Sequence, residues 1–286
     1  MLISIKVVTD STSYIDNHIK TSLDIYTVNL SVNFPDESFD ETRVSYGYFY
    51  DKIDRENIIP TSSQPTLGQI FEVFRTIIRQ GNEVLAIFIS AQMSGTYLSA
   101  ISAKQMILQE YPEARIEIID SKTNCMALGI QVIEAAKAAI NGLSMEDIIE
   151  KVLDLRDRIH FYFVPASLKY LIKGGRIGGA SALIGPLLKI TPILFVNNGQ
   201  TDVFERLRGT KKAVERMILK LQQDAADFGL QHLLVHHIND EQQGQALAER
   251  LGKLYQKNID ALPIGPVIGL HVGPGTVGLV YSTKSK

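Results

Sequence analysis

The chain has 286 residues, 45% hydrophobic and 21% charged, a composition that suits a folded globular protein and excludes a disordered one. Its 29 basic and 31 acidic residues leave a formal net charge of −2, so no bulk positive field calls for nucleic acid as a partner. A single cysteine, Cys125, excludes an intramolecular disulfide and any multi-cysteine metal site.

In chain order, "ISIKVVTDS" reads as a short buried strand ending in a polar turn. "LGQIFEVFRTIIRQG" spaces Leu67, Ile70, Phe71, Phe74 and Ile77 at helical intervals and stops at Gly81, with Thr66 placed as its N-cap. The strand "EVLAIFIS", a small-residue turn and a helix through "YLSAISAKQMILQEY" follow. "ARIEIIDS" is a further strand, and "ALGIQVIEAAKAAING" a further helix. Strands alternating with helices of this length predict parallel βαβ units with helices on both faces.

After the helix "SMEDIIEKVLDLRDRI" the pattern changes. "HFYFVPA" reads as a strand, and "SLKYLIKGGRIGGASALIGPLL" as helical at first and then glycine-rich. "ITPILFVNNGQTDVFERLRG" predicts a hairpin turning at Asn-Asn-Gly. A helix over Thr210–Phe228, the strand "HLLVHHI" and another helix come next. The closing "PIGPVIGLHVGPGTVGLVYST" suggests strands flanking a Gly/Pro turn. The expected class is therefore α/β, with a three-layer parallel-sheet domain over residues 1–158 and an α+β domain over residues 159–286. No apolar run reaches the ~18 residues of a membrane-spanning helix, and the N-terminal apolar run is too short for a signal peptide. The expectation is a soluble cytoplasmic protein.

Three strand ends carry polar turns: "TDSTS" (Thr9–Ser13), "SAQMSGT" (Ser90–Thr96) and "DSKTN" (Asp120–Asn124). In open parallel sheets that edge forms the ligand crevice. "QMSGT" has only half of a nucleophile elbow and none of a Walker loop. It suits either a helix cap at Ser94 or an anion site at a helix N-terminus. Ser62 and Ser63 in "IPTSSQPT" are more hydroxyls than one cap needs. His271 precedes a turn of three glycines and a proline in "HVGPGTVG", whereas His18, His160, His232, His236 and His237 read as ordinary surface or strand positions. Lys173 and Arg176 stand among four glycines in "KGGRIGG". No metal-ligand spacing is present. Asp10 and Asp120 at strand ends suit caps as well as acid–base work. The residues alone lead to a two-domain α/β protein with a hydroxyl-lined anion site.

"TDSTS", "TSSQPT", "SAQMSGTYLSA", "IIDSKT", "LKYLIKGGRIG" and "HVGPGTVG" occur in the order seen in the DegV family of bacterial fatty-acid-binding proteins, which the chain resembles from Val7 to about Gly278. The resemblance implies two α/β domains with a long-chain fatty acid held between and within them as ligand, and no other cofactor. It implies a non-catalytic role as the acyl-carrying subunit of a fatty acid kinase. A separate ATP-binding subunit phosphorylates the carboxylate, and the acyl phosphate enters phospholipid synthesis, with at most transient membrane contact. Carried over residue by residue, the carboxylate ligands fall on Ser62, Ser94 and His271, with Ser63, Gly95, Thr96, Asp120 and Ser121 as secondary candidates. Arg176 falls at the head group or the kinase-docking face, together with Arg208. Where the family commonly has "SSGLSGT" and "TSQPS", this chain has "SAQMSGT" and "SSQPT". Both keep a hydroxyl at the head group, while Gln92 and Met93 bear on pocket shape. Two alternatives are an acyl hydrolase with Ser94 and His271 as nucleophile and base, and a lipid carrier or sensor with no kinase partner.

Overall fold

A computed structural model describes residues 4–183 and 190–286. The end of the glycine-rich segment, residues 184–189, lies outside the described residues.

The first half is built on a four-stranded parallel sheet in the order β2-β1-β6-β7, from Tyr26–Val28, Ile5–Asp10, Glu83–Phe88 and Ile116–Asp120. Alternation along β6 divides its side chains between two cores. Val84, Ala86 and Phe88 face the core shared with α3 (Leu67–Arg79) and α4 (Thr96–Glu110), while Leu85, Ile87 and Ile89 face the one shared with α5 (Cys125–Ile140). Three layers result. Helix α3 forms where its periodicity predicts, buries Ile70, Phe74 and Ile77, and starts at a capping box between Thr66 and Gln69.

The stretch between β1 and α3, which periodicity left largely unread, contains α1 (Asn17–Ser22), α2 (Tyr46–Glu56) and a small antiparallel sheet. Its order is β4-β3-β5, from Ser38–Asp40, Ser31–Asn33 and Thr61–Ser63. Strands of three residues carry too little alternation to be recognised in sequence.

Helix α6 (Met145–Arg158) leads into β8 (Ile159–Val164) of a six-stranded mixed sheet in the order β10-β9-β8-β13-β11-β12. Its other members are β9 (Thr191–Asn197), β10 (Gln200–Leu207), β11 (Leu230–Ile238), β12 (Ala261–Pro263) and β13 (Thr276–Thr283). The β9–β10 hairpin turns as expected, with Asn198 and Gly199 at φ 46° and 88°, the left-handed pair that a two-residue turn requires. Helices α8 (Thr210–Phe228) and α9 (Glu241–Tyr255) cover one face of this sheet. The other face, with Phe161, Phe163 and Leu194, joins the core of α5 and α6. One apolar core therefore runs through both halves.

The C-terminal segment departs from expectation. A helix, α10 (Pro266–Val272), stands where a strand was read, and His271 lies in its last turn. Pro266 at N1 has its φ preset for a helix, and the Glu41 carboxylate accepts the Val267 N–H at 3.1 Å. Every residue from Pro266 to His271 is buried, so no amphipathic period announces the helix.

Candidate functional site

A cavity of about 320 Å³ opens at the strand-end turns. Its walls come from both halves: β5 and the Met93–Gly95 turn on one side, and β8, β9 and α10 with α7 (Lys169–Lys173) on the other. Leu30, Ile89, Phe161, Phe163, Val267 and Ile268 make it apolar. Its polar lining includes Ser62, Ser63, Ser94, His271 and Arg176.

Across the cavity wall, Ser62 Oγ lies 2.8 Å from His271 Nε2. Strand pairing with β3 fixes Ser62 opposite Val32, and α10 supplies the histidine. His271 is buried, and desolvation, with the Arg176 charge nearby, pushes its pKa down to about 4. The ring is neutral at pH 7. Its Nδ1 has no partner. A buried bare N–H is rarer than a buried bare acceptor, so the proton belongs on Nε2, donated to Ser62 Oγ. The Ser62 hydroxyl is then free to donate into the cavity. A Cβ on Gly174 would collide with His271 Nδ1, which explains one glycine of the "KGGRIGG" motif.

Arg176 is exposed at the mouth and ties the two halves together. Its Nη1 donates to Gly174 O at 2.7 Å and its Nε to Met93 O at 3.3 Å. Among the described residues it has no carboxylate partner. Ser94 Oγ accepts the Thr96 N–H at 3.3 Å and lies 2.9 Å from Thr96 Oγ1, so the hydroxyl supports the start of α4 while its residue lines the cavity.

The structure thus brings Ser62, Ser63, Ser94, Gly95, Arg176 and His271 to one cavity. It places the other candidates elsewhere. Thr96 is buried behind Ser94. Asp120 holds two turns by accepting the Lys122 and Ala91 N–H groups at 2.8 and 3.3 Å. Ser121 bonds to the Thr123 backbone, and Arg208 is exposed just beyond β10. Of the residues bearing on pocket shape, Met93 lines the cavity, whereas Gln92 packs near Gly199. His271 meets Ser62 rather than Ser94, unlike the pairing of the hydrolase alternative.

Four polar lining residues were not singled out by the motifs, Gln64, Asn124, Thr201 and Thr276. Gln64, Asn124 and Thr276 stand inside or beside recognised motifs, but nothing in their spacing announces that they line a cavity. His236 was read as an ordinary strand residue. It is fully buried, accepting the Met126 N–H on Nε2 at 3.1 Å and facing Leu262 O with Nδ1 at 2.9 Å.

These features define a two-domain α/β protein with a small-molecule cavity between its halves. The family model described as "Uncharacterised protein, DegV family" matches residues 4–284, and the chain belongs to that family. A DegV domain-containing protein of Clostridium acetobutylicum is 45% identical over 281 residues, 98% of each chain. The crystal structure of DegV, a fatty acid binding protein from Bacillus subtilis, superposes with a TM-score of 0.88 at 32% identity, covering 99% of this chain and 100% of that one. A DegV family protein from Thermus thermophilus, described for its fatty acid binding, gives 0.87 at 31% identity over 98% and 100% of the two chains.

Proposed function

We propose that the chain binds a long-chain fatty acid, tail in the apolar cavity and carboxylate at the mouth, and presents that carboxylate to a separate ATP-binding kinase subunit. The observation that carries the reading is the Ser62–His271 pair in a cavity walled by Leu30, Ile89, Phe161, Phe163, Val267 and Ile268, with Arg176 at its rim and without a carboxylate partner among the described residues. The fatty-acid binding of the Bacillus subtilis and Thermus thermophilus relatives supports it.

Each methylene transferred from water contributes about 0.8 kcal/mol, so ten contribute on the order of 8 kcal/mol before the costs of association. The tail supplies most of the affinity. Ser62, its hydroxyl oriented by neutral His271, and Ser94 then fix the head group, while Arg176 at the rim serves to dock the kinase subunit. Phosphoryl transfer depends chiefly on such positioning. A carboxylate oxygen attacks the γ-phosphorus of ATP, and ADP leaves from the kinase subunit.

The test is a lipid extraction. About one fatty acid per chain is expected in the organic extract, and delipidated protein is expected to take up palmitate in equal ratio. Neither bound lipid nor uptake would overturn the reading. Uptake without acyl phosphate formation by any kinase subunit plus ATP would leave a carrier and remove the presenting role.

A further inference from the structure

Strands β8 and β9 are neighbours in the six-stranded sheet, yet among the described residues only two ladder pairs join them, Tyr162 with Phe195 and Phe163 with Leu194. On their other sides β8 makes six pairs with β13, and β9 makes seven with β10. The next pair of the β8–β9 register would set Phe161 opposite Val196, and it is not formed. The two strands part there. Their side chains still share one face of the sheet: Phe161 and Val196 lie with Phe163 and Leu194 on the side of the core that crosses between the halves.

Phe161 and Val196 line two cavities at once. One is the acyl cavity. The other, of about 710 Å³, lies between the parted strands and the turn after β7, with Lys122, Arg156, His160 and Asn197 among its walls. No other described residue lines both. Phe161 is buried, its ring centroid 5.4 Å from that of Phe163 and 5.8 Å from that of His236, and Val196 is half-buried. The pair stands away from the head-group end. The Thr276 hydroxyl, at the start of β13, donates to Gly273 O just past α10 at 2.8 Å, so β13 begins beside the His271 end of that helix. The next residue, Val277, faces Val164, and Phe161 lies three residues farther along β8, about 10 Å away. The cavity thus runs along β8 from the histidine past Phe163 to Phe161.

We infer that Phe161 and Val196 form the end wall of the acyl cavity and set the longest chain it takes, an inference that rests on the fatty-acid reading above. A tail that reaches the wall is buried along its length with its carboxylate at Ser62. A longer one must part the pair, fold back on itself or draw its carboxylate away from the serine, and each of these weakens binding. Because no backbone ladder closes the gap between the strands, the wall there consists of these two side chains. Shortening either one joins the acyl cavity to the second, where Tyr162 and Phe195 offer apolar surface to additional methylenes.

The test uses delipidated full-length chain and the saturated acids from lauric to behenic, each competing against a fluorescent fatty acid. Wild-type affinity should rise with chain length to an optimum and fall by about tenfold by behenic acid, as overfilling a packed site strains it. Phe161→Ala and Val196→Ala should each move the optimum to longer chains by about two carbons or more, and Val196→Phe should move it to shorter ones. Leu30→Ala, which enlarges the acyl cavity at a residue that does not line the second one, should leave the optimum in place. Wild-type affinity that stays level or rises through behenic acid would overturn the end wall. So would an optimum unmoved by both alanine variants at the wall, or one moved as far by Leu30→Ala. If Phe161→Ala does not fold, the two Val196 variants decide the matter. Failure of every acid to bind would instead strike the fatty-acid reading itself.

Discussion

At the scale of single residues, the mouth of the cavity works by holding a neutral histidine against a serine. Glycine is needed at Gly174 because the His271 ring occupies the space of a side chain there. Gly174→Ala should push the ring off Ser62 and weaken fatty-acid binding about tenfold, with little change in global stability; isothermal titration calorimetry checks the first and urea melts the second. Arg176 acts differently, since its guanidinium lies at the rim and spends few of its five N–H groups on the protein. Arg176→Ala should lower acyl phosphate formation with the kinase subunit at least tenfold while changing the dissociation constant for palmitate less than threefold. Unchanged phosphorylation would remove the docking role.

At the scale of elements, two helices are started by groups from distant parts of the chain. Glu41 begins α10: its carboxylate accepts from Val267 N at 3.1 Å, Ser11 Oγ at 2.5 Å and Tyr14 Oη at 3.1 Å. Burial nonetheless pushes its pKa up to about 7. The folded state then binds more protons than the unfolded state between about pH 4.5 and pH 7, and the contribution is lost as pH rises through that window. Asp10, raised to about 6 by burial, acts in the same direction. His236 and His271, lowered to about 4, act in the opposite one, losing stability as pH falls from about 6.5. Wild-type stability should therefore vary weakly with pH. Glu41→Gln should gain on wild type by up to about 1.4 kcal/mol per pH unit between pH 5 and pH 7, read as the difference between urea-unfolding free energies. A constant difference across that range would show that Glu41 does not titrate there. His236→Ala should cost about 2–4 kcal/mol in the same assay, because Met126 N–H loses its buried acceptor and a void replaces the ring.

For the whole molecule, the cavity is shared property. Its walls come from β5 and the Met93–Gly95 turn in one half and from β8, β9 and α10 in the other, over a core that crosses between them. A ligand held there binds the assembled molecule and not its separated parts. Palmitate at about a hundred times its dissociation constant should therefore stabilise the protein by about 2.7 kcal/mol and raise its melting temperature by about 5 °C. Scanning calorimetry should show one transition moving as a unit. A shift confined to one of two resolved transitions would locate the ligand in a single half.

The alternating strands and helices from β6 to α6 were legible in the sequence because each has enough residues to display its period. So was the Asn198–Gly199 hairpin, whose turn demands those residue types. The motifs also gathered Ser62, Ser94, Arg176 and His271 as candidates before their contacts were seen. The pairing of Ser62 with His271 across 209 positions was not legible, and neither was the acceptance of the Met126 N–H by His236 across 110. Helix α10 was hidden because it is buried on every side and takes its first hydrogen-bond acceptor from Glu41, far away in the chain. Local periodicity and turn chemistry are properties of neighbouring residues, so the sequence by itself determined the long periodic elements, the hairpin and the family. Which polar atoms face the cavity, and which are occupied elsewhere, depends on partners that only the folded chain brings within hydrogen-bonding distance.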